Sequence, residues 1–354
     1  IAAGGRATRL RPITHTRNKH LIPIAGKPMI FYALEKLAAA GITEVYVNVN
    51  PGDTEMRKAL GDGSRWGLRV ATIEQTGGPQ GLGHILRVAR PYIGDESFIF
   101  YLGDNIILGD VKRFRDKFEA ERCNALLAIA KVPDPHRFGV PELRDGKIVR
   151  VVEKPQNPPS DYAVTGIYVY DHHVFEAAES IGPSARGEYE ISDVHTWLIE
   201  HGFNVAHEEV TGWWKDTGKP EDLLHGNQLV LSEMRLEEAT IEGWVGPEAV
   251  VQGRVRIGAG TRVEGKTLIR GPVTIGENCV IDDSYVGPYT SIGNGVKISK
   301  TEIEHSIVLD LAELSSAGRV VDSLLGEHAR ITGARTGSFT GHRMIVSDHS
   351  QVEI

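Results

Sequence analysis

Residues 245–298 read VGPEAV VQGRVR IGAGTR VEGKTL IRGPVT IGENCV IDDSY VGPYTS IGNGVK I, and an aliphatic residue opens every block. Each complete block has six residues except IDDSY, which has five. The positions that share this spacing are Val245, Val251, Ile257, Val263, Ile269, Ile275, Ile281, Val286, Ile292 and Ile298. Antiparallel strands would alternate with a period of two, so the spacing of six predicts a parallel β-helix built from hexapeptide repeats.

Glycines and irregular blocks indicate where this β-helix turns. Gly follows the aliphatic residue in five blocks, as expected at the corners between flat faces, at Gly246, Gly258, Gly276, Gly287 and Gly293. The five-residue block predicts one shortened corner. Beyond Ile307 the repeat weakens and resumes in part at Leu325 and Ile331, which predicts irregular last coils.

The chain before the repeats has a different rhythm, in which short β-rich runs alternate with helical patterns. Residues 31–40 predict a helix that ends at Gly41, and residues 44–49 predict the strand that follows it. Further strands are predicted at 97–102, 125–132, 148–153 and 166–170, and helices at 111–122 and 192–201. We expect Ile1-Ala2-Ala3 to end a first strand. The pattern predicts an α/β domain with a Rossmann-like, mainly parallel but mixed sheet over residues 1–234, followed by the β-helix over residues 235–354.

Composition restricts the class of partner. The 354 residues are 41% hydrophobic and 24% charged, as in an ordinary globular protein. The net charge of -8 argues against nucleic acid or an anionic membrane as partner, because polyanions need a basic surface. Cys123 and Cys279 form neither a metal-ligand nor a disulfide pattern, which favours a reducing, cytoplasmic location. The chain has neither a basic leader nor an apolar run of about 18 residues, so we expect no export and no membrane span.

A glycine loop opens the chain, Gly4-Gly5-Arg6-Ala7-Thr8-Arg9-Leu10. Without β-carbons, backbone N–H groups can converge on an anion, and Arg9 adds a fixed cation. The loop is neither GxGxxG nor a Walker A sequence, and a Gly pair in a turn is commonly structural. By itself it indicates only that some phosphate could bind.

The following residues give the loop a context. Asn18-Lys19-His20-Leu21-Ile22-Pro23 and Lys27-Pro28-Met29, together with the loop, resemble the signature of sugar nucleotidylyltransferases. This resemblance implies that Arg9 and Lys19 are catalytic, since fixed cations neutralise the charge on a leaving pyrophosphate. It implies nucleotide binding by Ala3, Gly4, Gly5, Thr8, Arg9 and Lys19. Ala7 stands where the family usually has Gly, which would strain the backbone if the loop needs a positive φ there.

Two carboxylates match the family further along the chain. Asp104 follows the apolar run Phe98-Ile99-Phe100-Tyr101, at the strand end where open α/β sheets place ligand groups. Asp216 lies in Trp213-Trp214-Lys215-Asp216-Thr217-Gly218. The resemblance implies that both are catalytic and hold Mg²⁺, and that Asp104 also contacts the nucleotide. Mg²⁺ commonly takes one or two carboxylates and completes its shell with substrate phosphates and water.

Other segments resemble the substrate pockets of the family. Phe138-Gly139-Val140, Val152-Glu153-Lys154-Pro155 and Ala163-Val164-Thr165-Gly166 imply a sugar phosphate pocket formed by Gly139, Glu153, Lys154, Val164 and Thr165. Glu153 would bind sugar hydroxyls and Lys154 would pair with the phosphate. Residues 75–84 resemble the pyrimidine-binding loop, with one extra residue, and imply that Gln75, Pro79 and Gly81 contact the nucleotide. Residues 186–193 are similar to a thymidylyltransferase segment, and Ser192 can also be interpreted as a helix N-cap.

The resemblance spans the whole chain and is closest to long-form glucose-1-phosphate thymidylyltransferases of deoxysugar pathways, with a left-handed β-helix. It implies a magnesium-dependent reaction in which the oxygen of glucose 1-phosphate attacks dTTP in line, giving dTDP-glucose and pyrophosphate. The partners expected are therefore a nucleoside triphosphate and a sugar 1-phosphate.

Three alternative functions are considered. The donor could be UTP, or the enzyme could also acetylate an amino sugar with His305 as base, although residues 240–354 hold 11 basic against 14 acidic residues and indicate no coenzyme A phosphate site. The chain could instead be a non-catalytic assembly subunit, against which the joint presence of Arg9, Lys19, Asp104 and the other site residues argues. A dinucleotide oxidoreductase is disfavoured because GxGxxG is missing. For the β-helix we favour assembly into a homo-oligomer.

Overall fold

The computed structural model describes residues 1–5, 7–333 and 341–353. The chain forms two compact units, of which the first consists of Ile1–Arg6 and Ile30–Asp216 and the second of Ala7–Met29 and Thr217–Ile354. The glycine loop is thereby divided, because Gly4 and Gly5 belong to the first unit and Thr8 and Arg9 to the second. These units are defined by contacts, and the division of the chain into domains at residues 234 and 235 stays a prediction.

The secondary structure is as follows. The helices are α1 Met29–Ala39, α2 Thr54–Leu60, α3 Leu82–Ile93, α4 Lys112–Ala120, α5 His173–Ser180, α6 Ile191–Glu200 and α7 Pro220–Ser232. The strands before the repeats are β1 Pro23–Ile24, β2 Lys27–Pro28, β3 Glu44–Val49, β4 Arg69–Glu74, β5 Phe98–Tyr101, β6 Asn105–Ile107, β7 Ala125–Lys131, β8 Gly139–Arg144, β9 Lys147–Glu153, β10 Tyr162–Tyr170, β11 Val205–Glu209 and β12 Trp214–Asp216. The strands of the repeats are β13 Trp244–Val245, β14 Val250–Gln252, β15 Val255–Ile257, β16 Arg262–Glu264, β17 Leu268–Arg270, β18 Val273–Ile275, β19 Val280–Asp282, β20 Tyr285–Val286, β21 Thr290–Ile292, β22 Lys297–Glu304, β23 Ile307–Val308, β24 Glu313–Val321, β25 Leu324–Leu325, β26 Arg330–Thr332, β27 Ile345–Val346 and β28 Gln351–Glu353.

The first unit contains the predicted mixed sheet. Strand β10 is antiparallel to both β5 and β7, while β11 is parallel to β7 and β3 is parallel to β4. Ala2 forms parallel bridges to Asn48 of β3 and to Leu102 after β5. Among the described strands of this sheet β10 alone runs against the others, and the prediction of a mainly parallel sheet is confirmed.

Burial explains the central position of β10. Its residues Ala163 to Tyr170 are all buried, as expected for a strand covered on both faces. The strand begins at Tyr162, four residues before the predicted start at 166, because residues 162–164 also pair with β7, ahead of a register shift between Val164 and Tyr168.

The second unit contains the predicted β-helix, with about six turns. Val263 pairs in parallel with Ile281, eighteen residues later, so three hexapeptides form one turn. Ile281 pairs with Ile298, seventeen residues later, which confirms the shortened corner. Ile257, Ile275 and Ile292 form the equivalent ladder on another face.

The last coils keep their strand pairing although their length varies. Leu314 pairs with Ile298 on one side and with Ile331 on the other, so the ladder continues through the region where the repeat weakens. Leu325 and Ile331 are fully buried. The coil length varies, since Leu314 follows Ile298 by 16 residues and Val352 follows its partner Ile331 by 21, and the β22–β24 ladder has a register shift between Ser299 and Thr301. The expectation of irregular last coils is therefore confirmed in their length and register, while buried aliphatic residues keep the strands paired.

The corner glycines are required by space. A β-carbon on Gly258 would lie 2.7 Å from the carbonyl carbon of Gly276 in the next coil. Neither glycine has a positive φ. Consecutive coils thus approach too closely for a side chain at this corner.

Helix α7 packs within the second unit through a buried amide. Asn227 is fully buried, and its Oδ1 accepts from Ser291 Oγ at 2.6 Å while its Nδ2 donates to the Tyr289 carbonyl at 2.9 Å. His305 Nε2 lies 3.3 Å from Gln228 Oε1 of α7, and His305 Nδ1 contacts Asp322. Both ring nitrogens of His305 therefore have polar side-chain partners within the second unit.

Two further sequence expectations concern thiols and membranes. Cys123 and Cys279 are free and buried. Within the described ranges no helix combines the length and the apolar character needed to cross a bilayer. The cytoplasmic location and the homo-oligomer stay predictions.

Candidate active site

The base of the glycine loop is tied to β3 in the first unit. The Ala3 N–H donates to the Asn48 carbonyl at 2.9 Å. At Gly5 the side chain of Asn50 makes the two main-chain hydrogen bonds that a neighbouring strand would make. Asn50 Oδ1 accepts from the Gly5 N–H at 2.9 Å, and Asn50 Nδ2 donates to the Gly5 carbonyl at 3.0 Å. Asn50 thus holds the Gly5 N–H in this structure, and nucleotide binding by Gly5 stays a prediction.

Three side-chain amides surround Gly4. A β-carbon on Gly4 would lie 3.2 Å from Asn48 Oδ1, 3.4 Å from Asn50 Oδ1 and 3.5 Å from Gln75 Oε1. Gln75 is buried and its Nε2 lies 3.1 Å from His84 Nδ1. The structure thus brings the predicted base-contacting Gln75 next to the predicted Gly4. The buried amide of Asn48 has no hydrogen-bond partner within the described residues, a rare condition that often accompanies a functional site.

The loop that carries Pro79 and Gly81 packs against residues 187–190. A β-carbon on Gly81, whose φ is 92°, would lie 2.6 Å from the Tyr189 carbonyl oxygen. The Tyr189 N–H donates to the Gln80 carbonyl at 2.8 Å. Pro79 itself is exposed at the outer side of the loop. Gly81 is therefore required by close packing. Residues 186–193, the segment similar to the thymidylyltransferase sequence, pack against this loop through Tyr189.

The two predicted metal carboxylates lie at one end of a short antiparallel ribbon. Strand β12 pairs with β6 so that Asp216 lies opposite Asn105, the neighbour of Asp104. Asn105 Nδ2 donates to Asp104 Oδ1 at 2.9 Å, and Asn105 Oδ1 accepts from Trp214 Nε1 at 2.6 Å. Asn105 thus orients Asp104 and fixes the ribbon. Asn105 directly follows Asp104 in the sequence, but nothing in its residue type indicates this role.

The predicted sugar-binding Glu153 is held by three donors. Its Oε2 accepts from Ser192 Oγ at 2.7 Å, and its Oε1 lies 3.2 Å from an Arg186 nitrogen and 3.1 Å from Lys154 Nζ. Gly139 is its partner on the neighbouring strand β8. The interpretation of Ser192 as an N-cap is wrong, because α6 begins one residue earlier and the Ser192 hydroxyl bonds to Glu153 instead.

The other predicted pocket residues lie on β10 and beside β9. Val164 is buried, and Thr165 is fully buried with its hydroxyl donating to the Ala128 carbonyl at 2.9 Å. The Lys154 N–H donates to the Phe138 carbonyl at 2.9 Å, at a positive φ of 43°. The Thr165 hydroxyl is therefore used by the sheet, and the main chain is the part of Thr165 that we expect to face a ligand.

Thr8, Arg9 and Lys19 lie in the second unit, on Ala7–Met29, which we name the signature segment. Thr8 and Arg9 are exposed on a 3₁₀-helix, Thr8–Leu10, and Lys19 begins another, Lys19–Leu21. Ala7 adopts φ 44° and ψ 39°, the left-handed conformation that Gly would adopt more easily. The strain expected at Ala7 is therefore present.

Comparison with known proteins shows the family of the chain. The Nucleotidyl transferase family model matches residues 1–233. The whole chain is 42% identical to a glucose-1-phosphate thymidylyltransferase of Streptomyces antibioticus, 98% of which is covered. It is 41% identical over its whole length to a low-salt glycan biosynthesis nucleotidyltransferase of Haloferax volcanii, 99% of which is covered. A Bacillus anthracis structure described as a glucose-1-phosphate thymidylyltransferase in complex with sucrose has a TM-score of 0.62 at 35% identity, covering 66% of this chain and 95% of that one.

The family match extends over more than half of the chain, and these relatives align with the β-helix as well. The chain therefore belongs to the nucleotidyl transferase family, in the long form whose transferase part continues into a β-helix.

Proposed function

We propose that the protein transfers a thymidylyl group from dTTP to glucose 1-phosphate, giving dTDP-glucose and pyrophosphate. The observation that carries this proposal is the β6–β12 ribbon, on which Asp216 lies opposite the neighbour of Asp104 in a member of the nucleotidyl transferase family. The choice of dTTP and glucose 1-phosphate is supported by the full-length relative from Streptomyces antibioticus.

In the proposed reaction an oxygen of the sugar phosphate forms a bond to the α-phosphorus, and the bond from that phosphorus to the bridging oxygen breaks. The electron pair leaves with pyrophosphate. Arg9 and Lys19 would neutralise the negative charge that accumulates on this leaving group. The protein needs no nucleophile of its own, because the sugar phosphate supplies it.

The ribbon also fits a magnesium ion. Asp104 and Asp216 would provide two hard oxygen donors, and phosphates and water would supply the remaining ligands, which is the donor set that Mg²⁺ prefers. Magnesium bound there would supply further charge neutralisation on the phosphates. The bond from Asn105 to Asp104 would keep that carboxylate oriented.

The acceptor sugar would be held by Glu153. Its carboxylate is fixed from two sides by Ser192 and Arg186, so its remaining lone pairs keep a defined direction. Lys154 lies beside it and would pair with the sugar phosphate. This arrangement suits a hydroxyl-rich ring with an attached anion.

The test is a panel of triphosphates and sugar 1-phosphates with pyrophosphate release as the readout. We expect dTTP with glucose 1-phosphate to give the highest kcat/KM. Asp104→Asn and Asp216→Asn should each lower kcat/KM by about a thousandfold with the fold intact. The matched control is Asp116→Asn, which changes an exposed carboxylate on α4. Preference for UTP would overturn the donor assignment, and full activity of either site variant would overturn the site.

A further inference from the structure

The signature segment, which carries Arg9 and Lys19, is packed against the last described coils of the β-helix. Thr16 Oγ1 donates to Asp348 Oδ2 at 2.7 Å, and Ser347 Oγ donates to the Pro12 carbonyl at 3.1 Å. Arg17 forms a half-buried ion pair with Glu327. These contacts all lie within the second compact unit.

The contacts fall between the two predicted triphosphate-binding cations. Pro12 follows Arg9 by three residues, and Arg17 precedes Lys19 by two. Contacts at these points can restrain both Arg9 and Lys19 only if the residues between the two cations are themselves folded.

The signature segment meets that condition. The Thr14 hydroxyl donates to the Ala7 carbonyl at 2.8 Å, and Leu10 and Ile13 are fully buried. Asn18 Oδ1 accepts from the His20 N–H at 3.0 Å at the start of the 3₁₀-helix that carries Lys19. Residues 7–21 therefore form a folded unit rather than an open loop.

The β-helix corner that makes these contacts is built from a ladder of side chains. Asp310 Oδ1 accepts from the Asn294 N–H of the coil before it at 2.8 Å, and Asp348 Oδ1 accepts from the Glu327 N–H at 2.6 Å. Asp348 uses its other oxygen for Thr16. One carboxylate thus closes the corner and also holds the signature segment.

A second attachment fixes the far end of the signature segment. The Ala25 N–H donates to Asn227 Oδ1 of α7 at 2.8 Å, and Arg256 of β15 donates to the Ala25 carbonyl at 3.0 Å. Ala25 also packs with Leu231 and Met234. The signature segment is therefore held at its middle and near its end by the same unit.

We propose that the last coils of the β-helix form a structural part of the triphosphate site, with Glu327 and Asp348 as positioning residues for Arg9 and Lys19. The inference rests on the proposed function, in which these two cations bind the triphosphate. Holding the cations in place before binding removes part of the ordering entropy that binding would otherwise require. Both positioning residues lie beyond residue 233, where the family model ends, so they are an addition made by the long form.

The experiment compares Asp348→Ala and Glu327→Gln with Asp310→Ala in the full chain. Asp310 is the matched control because it occupies the same corner and forms the same ladder bond, and within the described part of the chain its carboxylate bonds to Asn294 and not to the signature segment. We expect faster amide hydrogen exchange in residues 7–21 and a rise of about fivefold in the Kd for dTTP with Mg²⁺, measured by calorimetry, in the first two variants only. Thr16→Val removes the same bond from the other side, and it keeps the test valid if Asp348→Ala unfolds the last coil.

Unchanged exchange in both Asp348→Ala and Thr16→Val would overturn the inference. So would altered exchange with an unchanged Kd, because the β-helix would then hold the signature segment without affecting the site. A wild-type protein that binds dTTP and releases no pyrophosphate with any sugar 1-phosphate would overturn the proposed function alone. The exchange and binding data would still decide the role of the corner.

Discussion

The two halves of the glycine loop are held by different parts of the molecule. Gly5 is held by the Asn50 side chain at the end of β3 in the first unit. The residues from Ala7 onward are folded into the second unit, where the β-helix contacts them. A motif that is continuous in sequence thus has two supports, and each support can be removed without touching the other.

The largest effect is expected from the two cations in the second half of the loop and the residues after it, which we expect catalysis to need. Arg9→Ala and Lys19→Ala should each lower kcat by about a hundredfold or more, because fixed positive charge at the leaving pyrophosphate is lost. Arg11→Ala is the matched control, since Arg11 is exposed on the same signature segment. Pyrophosphate release at saturating dTTP measures the effect, and equal losses in all three variants would show that only the general charge matters.

Acid should destabilise the first unit more than the second. His195 in α6 is fully buried, and burial lowers the pKa of its imidazole from 6.5 to about 3. The unfolded chain binds this proton below about pH 6.5 and the folded chain does not until about pH 3, so the free energy of unfolding falls as the pH falls through this window. At pH 5 the loss is about 2 kcal/mol.

Hydrogen exchange at pH 7 and pH 5 measures this effect, with α6 compared to the β-helix strands. We expect α6 to lose protection first. The variant His195→Asn should abolish the loss of α6 protection between pH 7 and pH 5. The control His15→Asn, at an exposed position, should retain this loss. Equal loss of protection in both units would contradict the explanation.

The first support is tested by Asn50→Leu. This change removes both hydrogen bonds to Gly5 at similar side-chain volume, so the KM for dTTP should rise by about tenfold with a smaller change in kcat. Asn50→Asp keeps the acceptor for the Gly5 N–H and should have an intermediate KM. A lower KM in Asn50→Leu would instead mean that Asn50 competes with phosphate for that N–H.

The smallest expected effect is at the junction of the two halves. Ala7→Gly should stabilise the second unit by up to about 1 kcal/mol, because the left-handed conformation at Ala7 is strained for a residue with a β-carbon. Urea unfolding of the two proteins measures the difference. A loss of stability would mean that the greater freedom of Gly in the unfolded chain outweighs the strain.

Local patterns in the sequence predicted the architecture well. The spacing of six identified the β-helix because each repeat places one aliphatic residue in the core, and Leu314 continued the ladder where the repeat became hard to read. Asp104 and Asp216 were predicted from motifs, and the pairing of β6 with β12 explains why those motifs belong together.

Long-range roles of single side chains could not be predicted in the same way. Asn50 reaches Gly5 across 45 residues, and before Pro51-Gly52 it is typical of an ordinary turn. Ser192 has the residue type of an N-cap, but Glu153, 39 residues away, accepts its hydroxyl. The contact of Thr16 with Asp348 joins residues 332 apart, and nothing local indicates it.

The measurement that tests the two supports most directly is the affinity for dTTP in a double-mutant cycle of Asn50→Leu and Asp348→Ala. Because the supports belong to different compact units, each variant should weaken binding and the free-energy changes should add to within about 0.5 kcal/mol. An Asp348→Ala protein that binds dTTP like the wild type, alone and in the Asn50→Leu background, would contradict a role of the β-helix in the triphosphate site.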